Sequence, residues 1–554
     1  MENGEHLTTL TCPICQVSSS ARCSNCLKVV YCGKEHQKQH RKLHKKECFP
    51  ALIKSHATLG QHLAASRDIK GGEVIFHEEP LVLGPRSNLP EFHKICLGCC
   101  AQVSGSYSCA KCRWPLCGAQ CENKPWHANF ECQILSRNKV PPAKTQEEYL
   151  CITFLRGLLL KHIDPERWHQ LLKFESHANS RNTVSLTLKQ SQDAFKFITE
   201  KCGLKEFDKA TVDFVYGIIL VNGYGDSSTF AVKLYSKAGK LSHACIPNTR
   251  TRVLPNGLDV IAAVSIKSGQ PLTQLYGRML KGTHRRQELL QHVYYFTCSC
   301  SRCKDPTEFS TYFSALKCPS KKCSGGYLLP KNPLKLDGNP KWECDNCGFN
   351  TTSAKSVIPA LGTILKETGM DDDSTLFTEY EIYMGDGSTV PDDETVALAQ
   401  LQTVLEMREK LERLEGSLVH KNHYALLPLK TACIATCHSL LQKLGKFDQN
   451  MFHKVLQMYG MMTTEILNVI NVFLPGVTSE RGILLFHLSE RIRLEIQNEM
   501  ETKSGNKDIE KRLKELDSLQ KECLKIMELE SDEDSHKILV FEYLNGKNLA
   551  SYMK

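Results

Sequence analysis

The last third of the chain repeats apolar residues with the period of an α-helix. Val404, Met407, Leu411 and Leu414 recur at three- and four-residue spacing and therefore share one helix face. Further amphipathic stretches cover 423–445, 451–473, 479–500 and 508–529. Pro475-Gly476 and Ser504-Gly505 interrupt this pattern. We therefore predict antiparallel helix hairpins, similar to a tetratricopeptide array although no clean repeat is present.

The earlier residues follow shorter patterns. Between 56 and 84, the turn Gly71-Gly72 followed by the run Glu73–Phe76 predicts strands. Residues 141–200 predict mainly helix, and residues 211–277 predict short strands that glycine and proline interrupt. The acidic run Glu528–Asp534 is expected to be solvated. These patterns predict an α+β multidomain fold, with a β-rich core and an α-helical C-terminal domain.

The cysteine content points to metal. No early segment combines a basic start, an apolar run and a small-residue cleavage site. The most apolar short stretch, Val212–Val221, is too short to cross a bilayer. We therefore expect a protein of the cytoplasm, the nucleus or both, monomeric and without a membrane partner. Thiols stay reduced there, so the 27 cysteines indicate metal sites rather than disulfides.

The first cysteine-rich block, residues 12–48, predicts two interleaved zinc sites. A CxxC pair lets two thiolates of one tight turn reach the same tetrahedral ion. His36 and His44 are eight residues apart on a predicted helix, so at about 1.5 Å per residue they cannot easily share an ion. The predicted sets are Cys12, Cys15, Cys32 and His36, and Cys23, Cys26, His44 and Cys48. His40, on the same helix face, is an alternative to His36.

Two later blocks repeat the arrangement. Residues 96–132 predict the sets Cys96, Cys99, Cys117 and Cys121, and Cys109, Cys112, His127 and Cys132. Residues 298–347 predict a ribbon-like set of Cys318, Cys323, Cys344 and Cys347, together with Cys298, Cys300 and Cys303, which need a fourth ligand. Closed, thiolate-rich sets are typical of structural zinc, because a catalytic zinc keeps a position open for water. We expect about six zinc ions per chain.

Zinc binding changes the meaning of the net charge. The formal charge is +9, which by itself suggests a nucleic-acid partner. Ligating cysteines are thiolates, so the metallated protein is expected to be near neutral. A local cationic patch remains beside the first block and comprises Lys34, Lys38, Arg41, Lys42, Lys45 and Lys46. A basic helix of this kind can neutralise phosphates, although a solvated helix face carries the same residues.

Several segments outside the zinc blocks match known motifs. Leu241–Asn248 reads Leu-Ser-His-Ala-Cys-Ile-Pro-Asn and is similar to the signature Asn-His-Ser-Cys-x-Pro-Asn. Downstream lie Gln274–Gly277 and Tyr294–Cys300, and the latter is similar to Tyr-Phe-Phe-x-Cys-x-Cys. The first block resembles a MYND finger in which His36 replaces a cysteine. On these motifs the chain resembles the SET and MYND family of protein-lysine methyltransferases, and its order of parts is similar to the arthropod SmydA-type (msta-like) branch.

The resemblance implies a division of the chain. The expected parts are a MYND finger (1–50), the N-terminal SET part (51–90), a MYND-like zinc insertion (91–140), a helical SET insert (141–210), the SET core (211–297), the post-SET zinc site and ribbon (298–350) and the helical domain (351–554). It also implies that Cys245 is the fourth ligand of Cys298, Cys300 and Cys303.

The resemblance further implies methyl transfer from S-adenosylmethionine to a lysine. It makes Tyr276 and Tyr294 the active-site tyrosines. The expected cofactor contacts are Leu59, Gly60, Gln61, His177, Asn222, Ser242, His243, Tyr294, Tyr295 and Phe296. The substrate is a protein or peptide lysine, histone or non-histone, and a role in transcriptional regulation is compatible with it. Partner proteins are expected at the MYND finger and the helical C-terminus.

Two departures from the family motifs concern the cofactor. Ser242 replaces the signature asparagine, whose amide both donates and accepts hydrogen bonds. His62 replaces the second glycine of a Gly-x-Gly turn, where a Cβ hinders close backbone approach. Each change is expected to cost about 1–2 kcal/mol of cofactor binding. A catalytically weak or inactive adaptor is therefore the alternative to an enzyme, and a DNA-binding regulator that uses the cationic patch is a third hypothesis.

Overall fold

The structure is a computed structural model. It describes residues 11–546 except 24, 27–28, 46–47, 57–59, 87–91, 182–184, 226–228, 278–279, 336–338, 369–393, 503–507 and 533. Strands and helices both contribute to the described residues, which confirms the predicted α+β class. The predicted domain boundaries remain predictions.

The strands are short and form several small sheets. They are β1 (Ala51–His56), β2 (Gly60–Ala65), β3 (Val74–Glu78), β4 (Val82–Pro85), β5 (Tyr224–Gly225), β6 (Ala231–Leu234), β7 (Ser242–His243), β8 (Thr249–Leu254), β9 (Gly257–Ala262), β10 (Thr273–Gln274), β11 (Leu316–Lys317), β12 (Tyr327–Pro330), β13 (Lys341–Cys344) and β14 (Asn350–Thr352). The sheet orders are β1-β2, β3-β9-β8, β4-β6-β5, β11-β12-β13-β14, and β7 beside β10. Only the β7–β10 pair is parallel among these sheets.

The helices fall into an N-terminal group and a C-terminal bundle. The first group is α1 (Lys34–His44), α2 (Ala119–Glu122), α3 (Cys132–Arg137), α4 (Gln146–Ile163), α5 (Pro165–Leu171), α6 (Ala178–Arg181), α7 (Ser185–Lys196), α8 (Lys209–Asn222), α9 (Thr283–Tyr294) and α10 (Ser301–Lys304). The bundle is α11 (Ile358–Thr368), α12 (Glu394–Ser417), α13 (Leu427–Leu444), α14 (Gln449–Phe473), α15 (Ser479–Thr502), α16 (Ile509–Met527) and α17 (Ser535–Gly546).

Helix α8 corrects the prediction of strands at the start of 211–277. Its N-terminus is capped by Asp208, whose side chain accepts a hydrogen bond from the Thr211 backbone N–H. The run that follows is rich in β-branched residues and nearly continuously apolar, a composition that also suits a buried strand. Val215, Ile218 and Ile219 are fully buried in the core that α8 shares with α4. This tertiary packing overrides the local preference of the β-branched residues.

The C-terminal bundle packs consecutive helices around one apolar core. Val404, Leu411 and Leu414 of the predicted stripe are buried in that core, and Met407 is partly buried against it. The segment Tyr424–Leu444 is long and apolar enough to cross a membrane by length and composition, but 72% of its apolar window is buried inside the protein. It is therefore packed as a core helix of the bundle.

The bundle contacts the sheet β3-β9-β8 through the acidic run that follows α16. The Arg250 guanidinium pairs with the Glu530 carboxylate at 2.5 Å, and Arg252 donates to the Leu529 carbonyl at 2.8 Å. Glu530 is only 8% exposed. The expectation that the whole run is solvated is therefore wrong, because the two arginines of strand β8 draw this segment against the sheet.

A second contact between bundle and sheet depends on Gly476. Its φ is +91°, and the adjacent Val477 N–H donates to the Ala263 carbonyl at 2.9 Å. A Cβ at position 476 would lie 1.9 Å from that carbonyl oxygen. The glycine therefore lets the loop between α14 and α15 approach the end of strand β9.

We predict that Gly476→Ala destabilises the protein by about 2 kcal/mol or more, because the left-handed backbone and the close carbonyl both disfavour a Cβ. Gly416→Ala is the control, since no atom lies within 4 Å of its Cβ position near the end of helix α12. Thermal unfolding of the zinc-loaded protein should show a lower midpoint for the first variant only. Equal midpoints for the two variants would contradict this account of the contact.

Candidate active site and metal centres

The first cysteine block forms two four-residue groups around helix α1. In the groups Cys12, Cys15, Cys32 and His36, and Cys23, Cys26, His44 and Cys48, the ligand atoms lie within 4.8 Å of one another. Residues 12–15 form a tight turn, which the Gln16 N–H closes by donating to the Cys12 carbonyl at 2.8 Å. Helix α1 starts just after Cys32 and carries one histidine to each group.

His40 does not join either group. Its Nδ1 is 3.1 Å from the Tyr31 hydroxyl, and its ring stacks on His44 with a centroid distance of 5.9 Å. The Cys32 Sγ instead lies 3.0 Å from the His36 Nδ1. The geometry thus favours His36 over His40 as the ligand and gives His40 a packing role.

The second block also forms two groups, Cys96, Cys99, Cys117 and Cys121, and Cys109, Cys112, His127 and Cys132. A wide π-helical turn, His127–Glu131, accommodates the unusual spacing near His127. The His127 Nδ1 is 2.9 Å from the Glu131 carboxylate, which in turn pairs with Arg156 at 2.7 Å. All three side chains are fully buried. These contacts orient the His127 ring so that its Nε2 faces the Cys112 thiol.

The third block also forms two groups, and one of them includes the cysteine of the signature segment. Cys245 joins Cys298, Cys300 and Cys303, and its Sγ lies 3.4 Å from the Cys303 Sγ. In the ribbon β11–β14, the Cys318 and Cys347 sulfurs are 3.7 Å apart, as are those of Cys323 and Cys344. The described residues contain six possible metal-binding groups in all. Three or four thiolates with at most one histidine suit tetrahedral, closed zinc sites.

Aromatic side chains converge beside the Cys245 group. The ring centroid of Tyr276 is 5.0 Å from Tyr294, 6.3 Å from Phe296 and 5.4 Å from His243. The Tyr276 hydroxyl donates to the Leu241 carbonyl at 2.6 Å, and its N–H donates to the His243 Nδ1 at 3.0 Å. Burial raises the pKa of both tyrosines, so each phenol is protonated at neutral pH.

Strand pairing places the signature segment in this centre. Ser242 and His243 of β7 pair with Thr273 and Gln274 of β10. Asn248 fixes the register, because its side-chain oxygen accepts from the Thr273 N–H at 2.8 Å while its amide donates to the Pro271 carbonyl. Ser242 is only 8% exposed.

Other predicted cofactor residues form a second cluster at the end of helix α9. The rings of His177 and Tyr295 are 5.0 Å apart, and both residues have positive φ, 49° and 58°. Asn222 donates its amide to the Glu175 carbonyl at 2.9 Å and thereby holds the turn before His177. Asn222 thus supports the loop that carries the histidine.

The Gly-x-Gly region lies on strand β2. Gly60 has φ +63° and pairs with His56, while Gln61 is exposed and pairs with Ser55. His62 is 5% exposed, and its Nδ1 lies 3.3 Å from the Gly60 carbonyl oxygen. Leu59 lies outside the described residues.

Tyr224 was missed by the sequence analysis. Its hydroxyl donates to the Ala238 carbonyl at 2.9 Å and accepts from the Gln274 Nε2 at 2.6 Å. Burial, with Tyr276 and Tyr294 nearby, raises its pKa well above the usual value. The available signal was the run Gly223-Tyr224-Gly225 directly after Asn222, which was itself a predicted cofactor contact.

Comparison with known proteins finds relatives with similar sequences and one matching family model. The MYND finger family model matches residues 12–48. The chain is 28% identical over 298 residues to "SET domain-containing protein SmydA-8, isoform B" of Drosophila melanogaster, covering 52% of this chain and 64% of that protein. It is 25% identical over 284 residues to "N-lysine methyltransferase SMYD2" of Homo sapiens, covering 47% and 62%. The chain is thus similar to proteins that carry a MYND finger and a SET domain.

The match spans slightly less than two thirds of the length of these relatives. Among solved structures, the SET domain of LSMT bound to lysine and AdoHcy is 14% identical, with a TM-score of 0.25, and the alignment covers 75% of this chain and 91% of that one. In this protein the signature segment 241–248, the aromatic centre and the Cys245 group form one continuous site.

We predict that the purified protein contains six zinc ions per chain, measured by plasma emission spectrometry against amino-acid analysis. Cys26→Ser should reduce the count to five, because it removes one thiolate from the second group of the first block. Cys202→Ala is the control, since Cys202 lies in the apolar core around helix α4. A count of two or three in the wild-type protein would contradict the assignment of a whole block.

Proposed function

We propose that this protein is an S-adenosylmethionine-dependent protein-lysine N-methyltransferase. The observation that carries the proposal is the convergence of Tyr276, Tyr294, Phe296 and His243 beside the signature segment. The names of the curated relatives, which include lysine methyltransferases, support the same reaction class. Zinc has a structural role in this proposal, because the sites are closed.

The residues present fit a sulfonium cofactor. Aromatic faces and oxygen dipoles stabilise a cation, and the Tyr276, Tyr294 and Phe296 rings pack together, with the Tyr276 hydroxyl on the Leu241 carbonyl. When bound, S-adenosylmethionine supplies an electrophilic methyl group. Ser242, His243, Tyr294 and Phe296 contact the cofactor in this proposal, with His177, Asn222 and Tyr295 in the neighbouring cluster and Leu59, Gly60 and Gln61 on the β2 side.

The aromatic centre also suits the incoming lysine. An amine attacks only when it is neutral, and a site lined by buried tyrosines disfavours the ammonium form through desolvation. Tyr276 has its hydroxyl committed to the Leu241 carbonyl, so its ring is fixed in orientation. Tyr224 and Tyr294 present further phenols in the same region. The tyrosines therefore orient the amine and exclude water rather than exchange protons.

The adaptor is the second candidate function, and Ser242 is the observation that favours it. A serine hydroxyl reaches less far than the signature asparagine amide and cannot match its bidentate hydrogen bonding. In this candidate, the MYND finger and the helical bundle bind partner proteins without methyl transfer. The direct DNA-binding alternative uses the cations of helix α1, where Lys34, Lys38, Arg41, Lys42 and Lys45 lie among the described residues and Lys46 lies outside them.

For the compartment, we propose an intracellular location, cytoplasmic, nuclear or both. We further propose that the protein is a monomer. Its substrates in this proposal are lysines of histone or non-histone proteins. The intracellular assignment is consistent with 24 cysteine and histidine side chains arranged as zinc ligands, since thiolate sites persist where thiols stay reduced.

We predict that the zinc-loaded protein binds S-adenosylmethionine in a calorimetric titration and that Ser242→Asn tightens binding about tenfold, through about 1–2 kcal/mol of restored hydrogen bonding. Ser66→Asn serves as a control for the added amide, because Ser66 lies in the loop after β2, apart from the signature segment. No heat at millimolar cofactor would end the enzyme proposal. Unchanged affinity in Ser242→Asn would show that position 242 does not contact the cofactor.

We predict that Tyr276→Phe lowers the rate of methyl transfer at least tenfold, because loss of the hydroxyl frees the ring and leaves the Leu241 carbonyl without this donor. The readout is transfer of a radiolabelled methyl group to peptide-array lysines or to the protein itself. Tyr327→Phe, in the zinc ribbon, is the matched control. A rate equal to that of the wild-type protein would show that the Tyr276 hydroxyl does not contribute to methyl transfer.

A further inference from the structure

A cavity of about 370 Å³ lies in the helical region between α4, α7 and the π-helical turn Phe197–Lys201. Its lining differs from that of the methyltransferase centre, with no residue in common with the proposed cofactor or lysine contacts. The wall is largely apolar and aromatic and includes Leu150, Phe154, Phe197 and Tyr216. Small-molecule sites in proteins are about 300–1,000 Å³ and have such a lining.

The wall is preformed by contacts among the lining residues and with a buried arginine behind them. Tyr216 packs on Phe154 at a centroid distance of 4.7 Å, and its hydroxyl donates to the Gln190 side-chain oxygen at 3.0 Å. The buried Arg181 guanidinium lies 5.2 Å from the Tyr216 ring centroid and donates to the Ser176 and Asp213 carbonyls. A ligand therefore meets a fixed aromatic surface, which reduces the entropic cost of binding.

The rim of the cavity is acidic. Four carboxylates and two lysines line it. One ion pair is internal to the rim, since Lys201 pairs with Glu148 at 2.8 Å. Glu147, Asp193 and Glu200 take part in no ion pair among the described residues, and Lys196 is the remaining cation. The excess of two negative charges favours a cationic head group at the mouth.

From the apolar wall and the acidic rim together, we propose that this cavity binds a small organic amine with an aromatic or branched apolar body. The apolar body occupies the space against Phe154, Phe197 and Tyr216, and the ammonium group lies near Asp193 and Glu200. The site is independent of the proposed methyl transfer. The Cys151 thiol lines the interior, and its burial raises its pKa, so it remains a neutral thiol at physiological pH.

The test is a ligand-observed NMR titration of the full-length zinc-loaded protein at low salt. Phenethylamine is the probe, and 2-phenylethanol and 3-phenylpropionate are the neutral and anionic counterparts of similar shape. We expect the amine to bind with a Kd below about 1 mM, the alcohol at least about tenfold more weakly, and the carboxylate not at all. Equal affinity for the amine and the alcohol, or no binding of the amine, would overturn the proposal.

Two kinds of variant locate the site. The surface variant Glu147→Gln/Asp193→Asn/Glu200→Gln should weaken amine binding about tenfold, and Lys196→Gln should strengthen it about two- to threefold. Glu166→Gln is the control, an exposed carboxylate on helix α5 that does not line the cavity. Cys151→Met fills the interior and should abolish binding. Unchanged affinity in the surface variant, which alters no buried side chain, would refute the assignment even if Cys151→Met does not fold.

Discussion

A single thiolate group holds the two halves of the candidate active site together. Cys245 follows strand β7 in the signature segment, whereas Cys298, Cys300 and Cys303 follow the Tyr294–Phe296 run. A tetrahedral ion among these sulfurs fixes two segments that are about fifty residues apart in sequence. The aromatic contacts of Tyr276, Tyr294 and Phe296 depend on that constraint, because short strands such as β7 and β10 contribute few hydrogen bonds by themselves.

Buried charged side chains connect the Cys245 group to the helical bundle. Glu308 accepts hydrogen bonds from Arg286 at 2.8 Å and Arg302 at 3.0 Å, and all three side chains are buried. Burial raises the pKa of Glu308, but the two arginines outweigh it and hold the pKa at about 2. Arg302 also stacks on Phe473 of α14, with its guanidinium carbon 3.3 Å from the ring centroid. Loss of one partner would leave buried charge uncompensated.

Local spacing was sufficient to predict features whose geometry is local. CxxC pairs and the helical stripe through Val404 and Leu411 depend on residues within one turn, and the structure places them as the sequence patterns indicate. Features set by distant neighbours could not be predicted in this way. Helix α8 has a strand-like composition, Glu530 is buried by arginines about 280 residues away, and the Tyr224 hydroxyl meets Gln274 across fifty residues. The roles of Ser242 and the cofactor residues remain predictions.

Hydrogen exchange in two cysteine variants tests the central claim most directly. Cys245→Ser should increase amide exchange at least about tenfold in 241–245 and 273–277, because the Ala244 N–H to Gln274 carbonyl bond and the neighbouring contacts lose their anchor. Cys347→Ser, which removes a ligand from the ribbon, should increase exchange only within 316–352. If protection at Ala244 and Tyr276 is the same in Cys245→Ser as in the wild-type protein, the Cys245 group does not hold the site.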